Sequence, residues 1–424
     1  MIKFLNLPVL FSLINLLAFS AAGEEKAKAE EKTSRFRFSG LPAVGFGSDT
    51  GFGGGAIVNM YQDEEGYEPY KLSLSMKAFF TSKFVNSHII KVDRVRAFGL
   101  PWRLIGRIGF YSTPSQNYCG LVSDVDCSEK RAKLEADNSG LSGKEHEKFM
   151  SEFYKNRYMT LFGELFSSWT LWQGFANLSL INSYRGNYYW QRDFSQNGPY
   201  KDSLYSRDFP GDIIRQEGYL STFEVGLMLD SRDNESAPTS GYWLESSVRG
   251  AAKFTGSAWD FFGANLSARF YWSLDDNHKL VIASQSIIDA VVGNLPYDAL
   301  SRVGGSQALN DYNAFGGSLM GRGLREQLYV GRFKAIEQLE FRYNFWSFTL
   351  WRQNFEMVAA AFTDIGFAAW DYKRFLRDMK AVQVGFGPGL RLYWDKTFVI
   401  RADLGMSPAE NFVPRFYLVV GNIF

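Results

Sequence analysis

Few residues of this sequence have the types and spacing that enzyme chemistry requires. Its three histidines, His88, His146 and His278, lie far from one another and from the two cysteines. A zinc site needs closely spaced ligands, so we expect neither a metal nor another cofactor. No Gly-x-Ser-x-Gly element presents a nucleophile, and the glycine-rich residues 51–55 lack the Lys-Ser/Thr of a phosphate-binding loop. We therefore expect a protein that is not an enzyme and has no catalytic residues.

The two cysteines, Cys119 and Cys127, stand close together at the start of a long polar segment. In an oxidising periplasm or at the cell surface they could close a small loop. We predict this disulfide, and two free thiols are the alternative.

Charged and polar residues recur at every second position of apolar segments towards the end of the chain. In residues 397–406, Arg401 and Asp403 fall on one face of an extended chain and the apolar residues fall on the other. Period two indicates a strand, because a helix repeats after 3.6 residues. Residues 333–345 and 382–394 alternate in the same way, with many aromatic residues on the apolar face. An apolar outside and a polar inside are typical of a transmembrane β-barrel.

The composition indicates an exported membrane protein. The chain is 17% aromatic, 46% hydrophobic and contains 40 glycines, which is too polar for a helical membrane protein and unusually aromatic for a soluble one. Lys3 precedes an apolar run at residues 4–19 and then small residues, so residues 1–23 are predicted to be a signal peptide. The net charge of +1 argues against a nucleic-acid partner. We expect an all-β protein surrounded by outer-membrane lipid.

Residues 24–40 are predicted to be a short, charged periplasmic linker, and residues 41–424 the barrel. This part of the chain holds about sixteen alternating strands, each near or above the ~10 residues that cross a membrane at a tilt. We place the first strand at residues 41–46 and the last at residues 416–424. Every second connection is short, whereas three of the others are long. Short turns are usually periplasmic, so both termini are expected there.

One short connection contains Asp230, Arg232 and Asp233, followed by Gly241. This motif resembles a signature of the bacterial surface antigen barrels, the BamA/TamA family of outer-membrane assembly and translocation proteins. Asp, Asn, Pro and Gly form turns in their own right, so we interpret these residues as structural. Contact with a periplasmic partner is the alternative.

A second motif, Arg322-Gly323, lies in the long connection between the eleventh and twelfth strands. The resemblance implies that this connection folds back into the lumen and that acidic residues of the next two strands hold the arginine. Gly323 would allow the backbone a tight turn or a close approach to the wall. The alternative is that Arg322 is one more lumen-facing cation.

The matching acidic positions are Glu340 on the twelfth strand and Asp364 on the thirteenth, within the motif Phe362-x-Asp364-x-Gly366. The alternation of the strands independently places Glu340, Phe362, Asp364 and Gly366 inside the barrel. A guanidinium there needs carboxylate partners to offset its desolvation. These residues together predict a lock on the lumen loop.

The resemblance covers the barrel, residues 41–424. Family members that insert other barrels carry periplasmic POTRA domains, and residues 24–40 are too short for one. We therefore expect a separate periplasmic accessory protein, or another task for the barrel.

The family resemblance implies insertion or translocation of proteins through a weak seam between the first and last strands. Unfolded barrels, lipoproteins or secreted proteins would be the clients. Pro42 cannot donate a ladder hydrogen bond, and Gly421 and Asn422 weaken the last strand, which is expected to end at Phe424. A passive pore of the outer membrane is the alternative.

Overall fold

The computed structural model describes residues 34–424 except 48–50, 68, 122–124, 191–200, 211–215, 307–314, 327, 351–352, 371, 374–375, 377–381 and 395–397. The predicted signal peptide, residues 1–23, lies outside the described residues and stays a prediction. So does most of the predicted linker.

The described residues form one closed antiparallel barrel, in which each strand pairs with its neighbours in the sequence and the last pairs with the first. This confirms the predicted barrel of about sixteen strands. The strands are β1 Arg35–Gly47, β2 Gly51–Asp63, β3 Leu72–Thr81, β4 Asn86–Arg94, β5 Trp102–Asn117, β6 Lys155–Gln173, β7 Asn177–Tyr189, β8 Gly218–Asp230, β9 Gly241–Ala251, β10 Phe261–Ser273, β11 Leu280–Gly293, β12 Phe333–Leu350, β13 Gln353–Ala369, β14 Gln383–Trp394, β15 Phe398–Gly405 and β16 Arg415–Val420.

Alternation of side chains builds the wall. In β10, Phe262, Leu266 and Trp272 are exposed on the outer face, whereas Asn265 and Arg269 are buried on the inner face. Successive side chains of a strand point to opposite faces, so one sequence pattern supplies a lipid-facing surface and a polar lumen.

The long connections on the side opposite the short turns carry short helices and share a core. The helices are α1 Glu129–Asn138, α2 Gly143–Glu152, α3 Leu204–Asp208 and α4 Tyr297–Leu300. Of the 3₁₀ turns, Ala97–Gly99 lies in the short β4–β5 connection, and Lys253–Thr255 and Pro408–Glu410 follow β9 and β15. Tyr118, Phe153, Tyr205 and Tyr297 pack together in this core. Among the described residues, no helix is long and apolar enough to cross a membrane.

Both ends of the barrel differ from the prediction. The first strand begins at Arg35, not at residue 41, so residues 35–40 belong to the wall and not to a linker, and Arg35 pairs with Asp63. The last strand ends at Val420 and does not run to Phe424. Gly421 has a φ of +100°, which turns the chain out of the sheet.

Candidate functional site

The connection between β11 and β12, which we call the lumen loop (residues 294–332), enters the barrel and brings Arg322 to its inner wall. The Arg322 side chain is fully buried. Its Nε and Nη2 donate to the two carboxylate oxygens of Asp364 at 2.9 and 2.7 Å, and its backbone N–H donates to the same carboxylate at 2.8 Å. Its Nη1 donates to Glu340 at 2.5 Å, and its guanidinium carbon lies 3.6 Å from the centre of the Phe362 ring.

The structure therefore brings together four of the residues that the sequence assigned to the loop lock, Arg322, Glu340, Phe362 and Asp364. The arrangement fixes the position of one guanidinium: two carboxylates bind its edge, and an aromatic ring packs against its plane. The role of these residues in the activity remains a prediction.

Glycines on the loop and the wall allow this close approach. Gly323 has a φ of +95°, and a Cβ there would lie 2.6 Å from the Met406 backbone. A Cβ on Gly385 of β14 would lie 1.8 Å from the Arg322 carbonyl oxygen, and one on Gly366 would lie 2.6 Å from the Phe315 ring. A side chain at any of these positions would push the lumen loop off the wall.

The ion-pair network is larger than the sequence predicted. Asp403 of β15 lies 3.5 Å from Arg322 and also binds Arg391 and Arg401, at 2.5 and 2.6 Å. Arg391 in turn reaches Glu340 at 2.9 Å. The alternation pattern had placed Asp403, Arg391 and Arg401 inside the barrel, but nothing in the pattern specified which lumen-facing charges meet.

A second anchor holds the lumen loop on β8, β9 and β11. Three consecutive backbone N–H groups, of Gly304, Gly305 and Ser306, donate to carboxylates of three different strands: Asp289 at 3.0 Å, Glu224 at 2.5 Å and Glu245 at 2.7 Å. Gly305 has a φ of +79°, and a Cβ there would lie 2.0 Å from Glu245.

Asp289 also binds cations, because Arg249 and Lys334 lie 2.7 and 3.2 Å from its carboxylate. Sequence reasoning missed this anchor. Its only signal was a Gly-Gly-Ser step in a long loop.

Among the described residues, few pairs join β1 and β16 at the seam. Within the described strands they pair only at Phe46 with Leu418 and at Gly47 with Tyr417, whereas β1 pairs with β2 along its whole length. Below these pairs the two strands line a cleft of about 330 Å³ together with residues of the lumen loop, among them Ser318. The loop also touches the last strand, because the Gly323 N–H donates to the Tyr417 hydroxyl at 3.2 Å.

The residues predicted for the seam do not pair across it in the described strands. Pro42 lies in β1 opposite Ala56 of β2, in the stretch of β1 that does not pair with β16. Gly421, Asn422 and Phe424 have left the sheet, and Phe424 is buried in the lumen instead of closing the last strand. The prediction of a strand-terminating Phe424 at the seam was wrong, because the chain turns at Gly421.

The turn between β8 and β9, which we call the signature turn (residues 231–240), is braced by its own residues. The Asp230 carboxylate accepts hydrogen bonds from the backbone N–H and the guanidinium of Arg232. Asp233 accepts from the Thr239 hydroxyl and backbone. Partial desolvation acts to raise the pKa of Asp233, but these hydrogen bonds hold it below its usual value. Gly241 closes the turn with a φ of +96°.

Cys119 and Cys127 are joined in a disulfide. Cys119 packs against the lumen loop, in a cluster with Phe315, Leu324 and Tyr329. The disulfide-closed segment therefore supports the loop at the end of the barrel that carries the long connections. Among the described residues, no group of His, Cys, Asp or Glu could hold a metal ion.

Comparisons with known proteins match this architecture. The family model of the Omp85 superfamily domain matches residues 126–424. The sequence matches no curated protein. A crystal structure of BamA from Haemophilus ducreyi lacking POTRA domains 1-3 is similar, with a TM-score of 0.52 and 14% identity over 92% of this chain and 70% of that one. CdiB from Escherichia coli is similar with a TM-score of 0.54 and 12% identity, over 93% of this chain and 63% of that one.

Proposed function

This chain belongs to the Omp85 superfamily and forms an outer-membrane barrel of the BamA/TamA type, and from that premise we propose that it inserts or translocates proteins through the seam between β1 and β16. The observation that supports the seam as the route is that, among the described residues, β1 and β16 form two residue pairs, and the part of β1 before Phe46 borders an open cleft instead of pairing with β16. The backbone of β1 below Gly45 lies beside that cleft, where a client strand can pair with it.

The lumen loop connects the seam to the rest of the barrel. Arg322 anchors it to β12 and β13, and Gly323 touches Tyr417 of β16. A displacement of β16 would therefore move the lumen loop and alter its buried ion pairs. In this proposal, insertion or translocation proceeds by separation of β1 from β16 and by pairing of a client strand with β1, and it uses no catalytic residue.

A passive pore is less well supported. The lumen loop is bound to β12 and β13 at Arg322 and to β8, β9 and β11 at residues 304–306, so its described parts occupy space inside the barrel that a pore would need. About sixteen strands can enclose an aqueous channel only when the interior is open.

We also propose a separate periplasmic partner that delivers clients. The periplasmic turns are the surface that such a partner would meet.

A cross-link across the seam tests the proposed route. Phe46 and Leu418 face each other in adjacent strands, at a separation that a disulfide can span, so Phe46→Cys with Leu418→Cys should lock the seam. We expect the locked protein to lower client levels in the outer membrane as far as loss of the protein does, and a reducing agent to restore them.

The matched control places the cross-link between two strands that pair along their length, as Leu404→Cys with Phe416→Cys across β15 and β16. This cross-link should leave client levels unchanged. Because the control protein carries the same native disulfide and receives the same reducing agent, it also shows any effect of reducing that disulfide. Full activity of the protein with a locked seam would contradict the proposed route.

A further inference from the structure

The signature turn contacts strands other than β8 and β9, which it connects. Ala237, at the tip of the turn between β8 and β9, is buried against Val358 of β13, Tyr393 of β14 and Val399 of β15. Neighbouring strands stand about 4.8 Å apart in the wall, so these strands are too distant to be reached along it. The turn therefore reaches them through the lumen.

The same turn also contacts the other side of the barrel. Glu235 accepts from Arg103 at the periplasmic end of β5, at 3.3 Å, and Arg103 is held in turn by Asp93 of β4 at 2.7 Å. With contacts on β5 and on β13 to β15, the signature turn bridges the mouth of the barrel at the end where the short connections lie.

The chain that follows β16 meets this bridge. Residues 421–424, which we call the inward segment, leave the sheet at Gly421, and the Asn422 amide donates to the backbone carbonyl of Ser236 at 2.8 Å. Ile423 and Phe424 are buried in a cluster with Tyr271 of β10 and Ala283 of β11. The inward segment thus crosses from the seam strand to the far wall beneath the signature turn.

One arginine joins the inward segment to the loop lock. Arg342 of β12 donates to the Phe424 carbonyl oxygen at 3.1 Å, and its guanidinium lies 5.2 Å from the centre of the Phe424 ring. Its Nε donates to Glu340 at 2.8 Å, the carboxylate whose other oxygen binds Arg322. A continuous chain of charged contacts therefore runs from the lumen loop to the inward segment.

We propose that the signature turn and the inward segment form one closure across the periplasmic mouth, and that the turn clamps the end of the seam strand inside the lumen. While the clamp holds, the chain beyond Val420 lies in the lumen and does not pair with β1. Displacing the turn frees this segment and opens the mouth. Use of this opening during transport rests on the function proposed above.

Thiol labelling measures the closure directly. Ile423→Cys places a thiol on the inward segment, where the native side chain is 2% exposed, and the native cysteines are joined in a disulfide. In nanodisc-embedded protein we expect a water-soluble maleimide to label this thiol at least about tenfold more slowly than Asn277→Cys, which lies on the exposed β10–β11 turn.

The clamp is then released in the Ile423→Cys protein by Ala237→Asp, which puts a charge among the apolar side chains of β13 to β15, or by the milder Asn422→Ala, which removes the hydrogen bond to Ser236. Either change should raise the labelling rate about tenfold or more, whereas Asn277→Ala should not. The milder variant keeps the test decisive if Ala237→Asp does not fold.

Rapid labelling of Ile423→Cys behind an unaltered turn would overturn the proposal, as would a labelling rate that neither Ala237→Asp nor Asn422→Ala changes. The assay contains no client protein. Its result therefore stands or falls separately from the proposed transport function, which is judged on the proteins found in the outer membrane.

Discussion

Arg322 is a fully buried cation whose Nε, Nη1 and Nη2 groups all donate to carboxylates of the wall. Removing a guanidinium from water is costly, and the arrangement offsets that cost with a two-pronged contact to Asp364, a contact to Glu340 and the face of Phe362. The buried carboxylates of Asp364 and Glu340 in turn need the arginine to compensate their charge. A lysine could not replace it, because an ammonium lacks the planar fork that fits Asp364.

Arg322→Ala should destabilise the folded barrel, because it leaves Glu340 and Asp364 buried with fewer cationic partners. The expected loss is roughly 3 to 5 kcal/mol in the free energy of unfolding. The shift between folded and unfolded migration in a gel, followed against temperature, measures it. Arg325→Ala is the matched control, because Arg325 lies in the same loop but is partly exposed. An unchanged transition for Arg322→Ala, together with full activity, would refute the lock.

Part of this site was predictable from single residues. The alternation of β12 and β13 placed Glu340 and Asp364 inside before any contact was known, because each lies on the polar face of its strand. The glycines that make room for the loop could not be assigned, since Gly385 reads in sequence as one more small lumen residue. Its importance comes from the Arg322 carbonyl, which is distant in the chain.

Among the elements, the strands were predictable and their ends were not. Sixteen segments alternate strongly enough to fix their number and order, because each must present one face to lipid and one to the lumen. The end of β16 depends instead on Gly421 and on buried contacts of Phe424 with β10 to β12. Such contacts leave no local pattern, so the sequence of residues 421–424 does not distinguish a continued strand from a segment that turns into the lumen.

The lumen loop has two anchors that should hold it independently, because they use different strands and share no partner. We predict that Arg322→Ala alone, or Glu245→Ala alone, leaves the loop inside the barrel, since the other anchor remains. The two changes together should loosen it, because the first anchor is then lost and only Asp289 and Glu224 remain at the second. Trypsin added to intact cells measures this by cleavage after Arg325.

The control for that experiment combines Arg322→Ala with Glu147→Ala on the external helix α2, which should stay as resistant as Arg322→Ala alone. Cleavage at the wild-type rate in the Arg322→Ala/Glu245→Ala protein would show that something other than the two anchors holds the loop. Full cleavage in either single variant would show that the anchors act as one.

At the scale of the whole molecule, three parts that do not belong to the wall meet at β16 or at the segment that follows it. The lumen loop contacts β16 through Tyr417, the inward segment continues β16 into the lumen, and the signature turn covers that segment. The rest of the wall is paired along the length of its strands and positions these parts. Strain applied to β16 therefore reaches both the loop lock, through Glu340 and Arg342, and the periplasmic closure.

The measurement that tests the central claim most directly compares the outer-membrane and secreted proteins of cells with and without this protein. The account predicts that a defined set of barrels, surface lipoproteins or secreted proteins is depleted when the protein is absent and returns when the wild-type chain is restored. An unchanged inventory of these proteins would contradict a role in insertion or translocation.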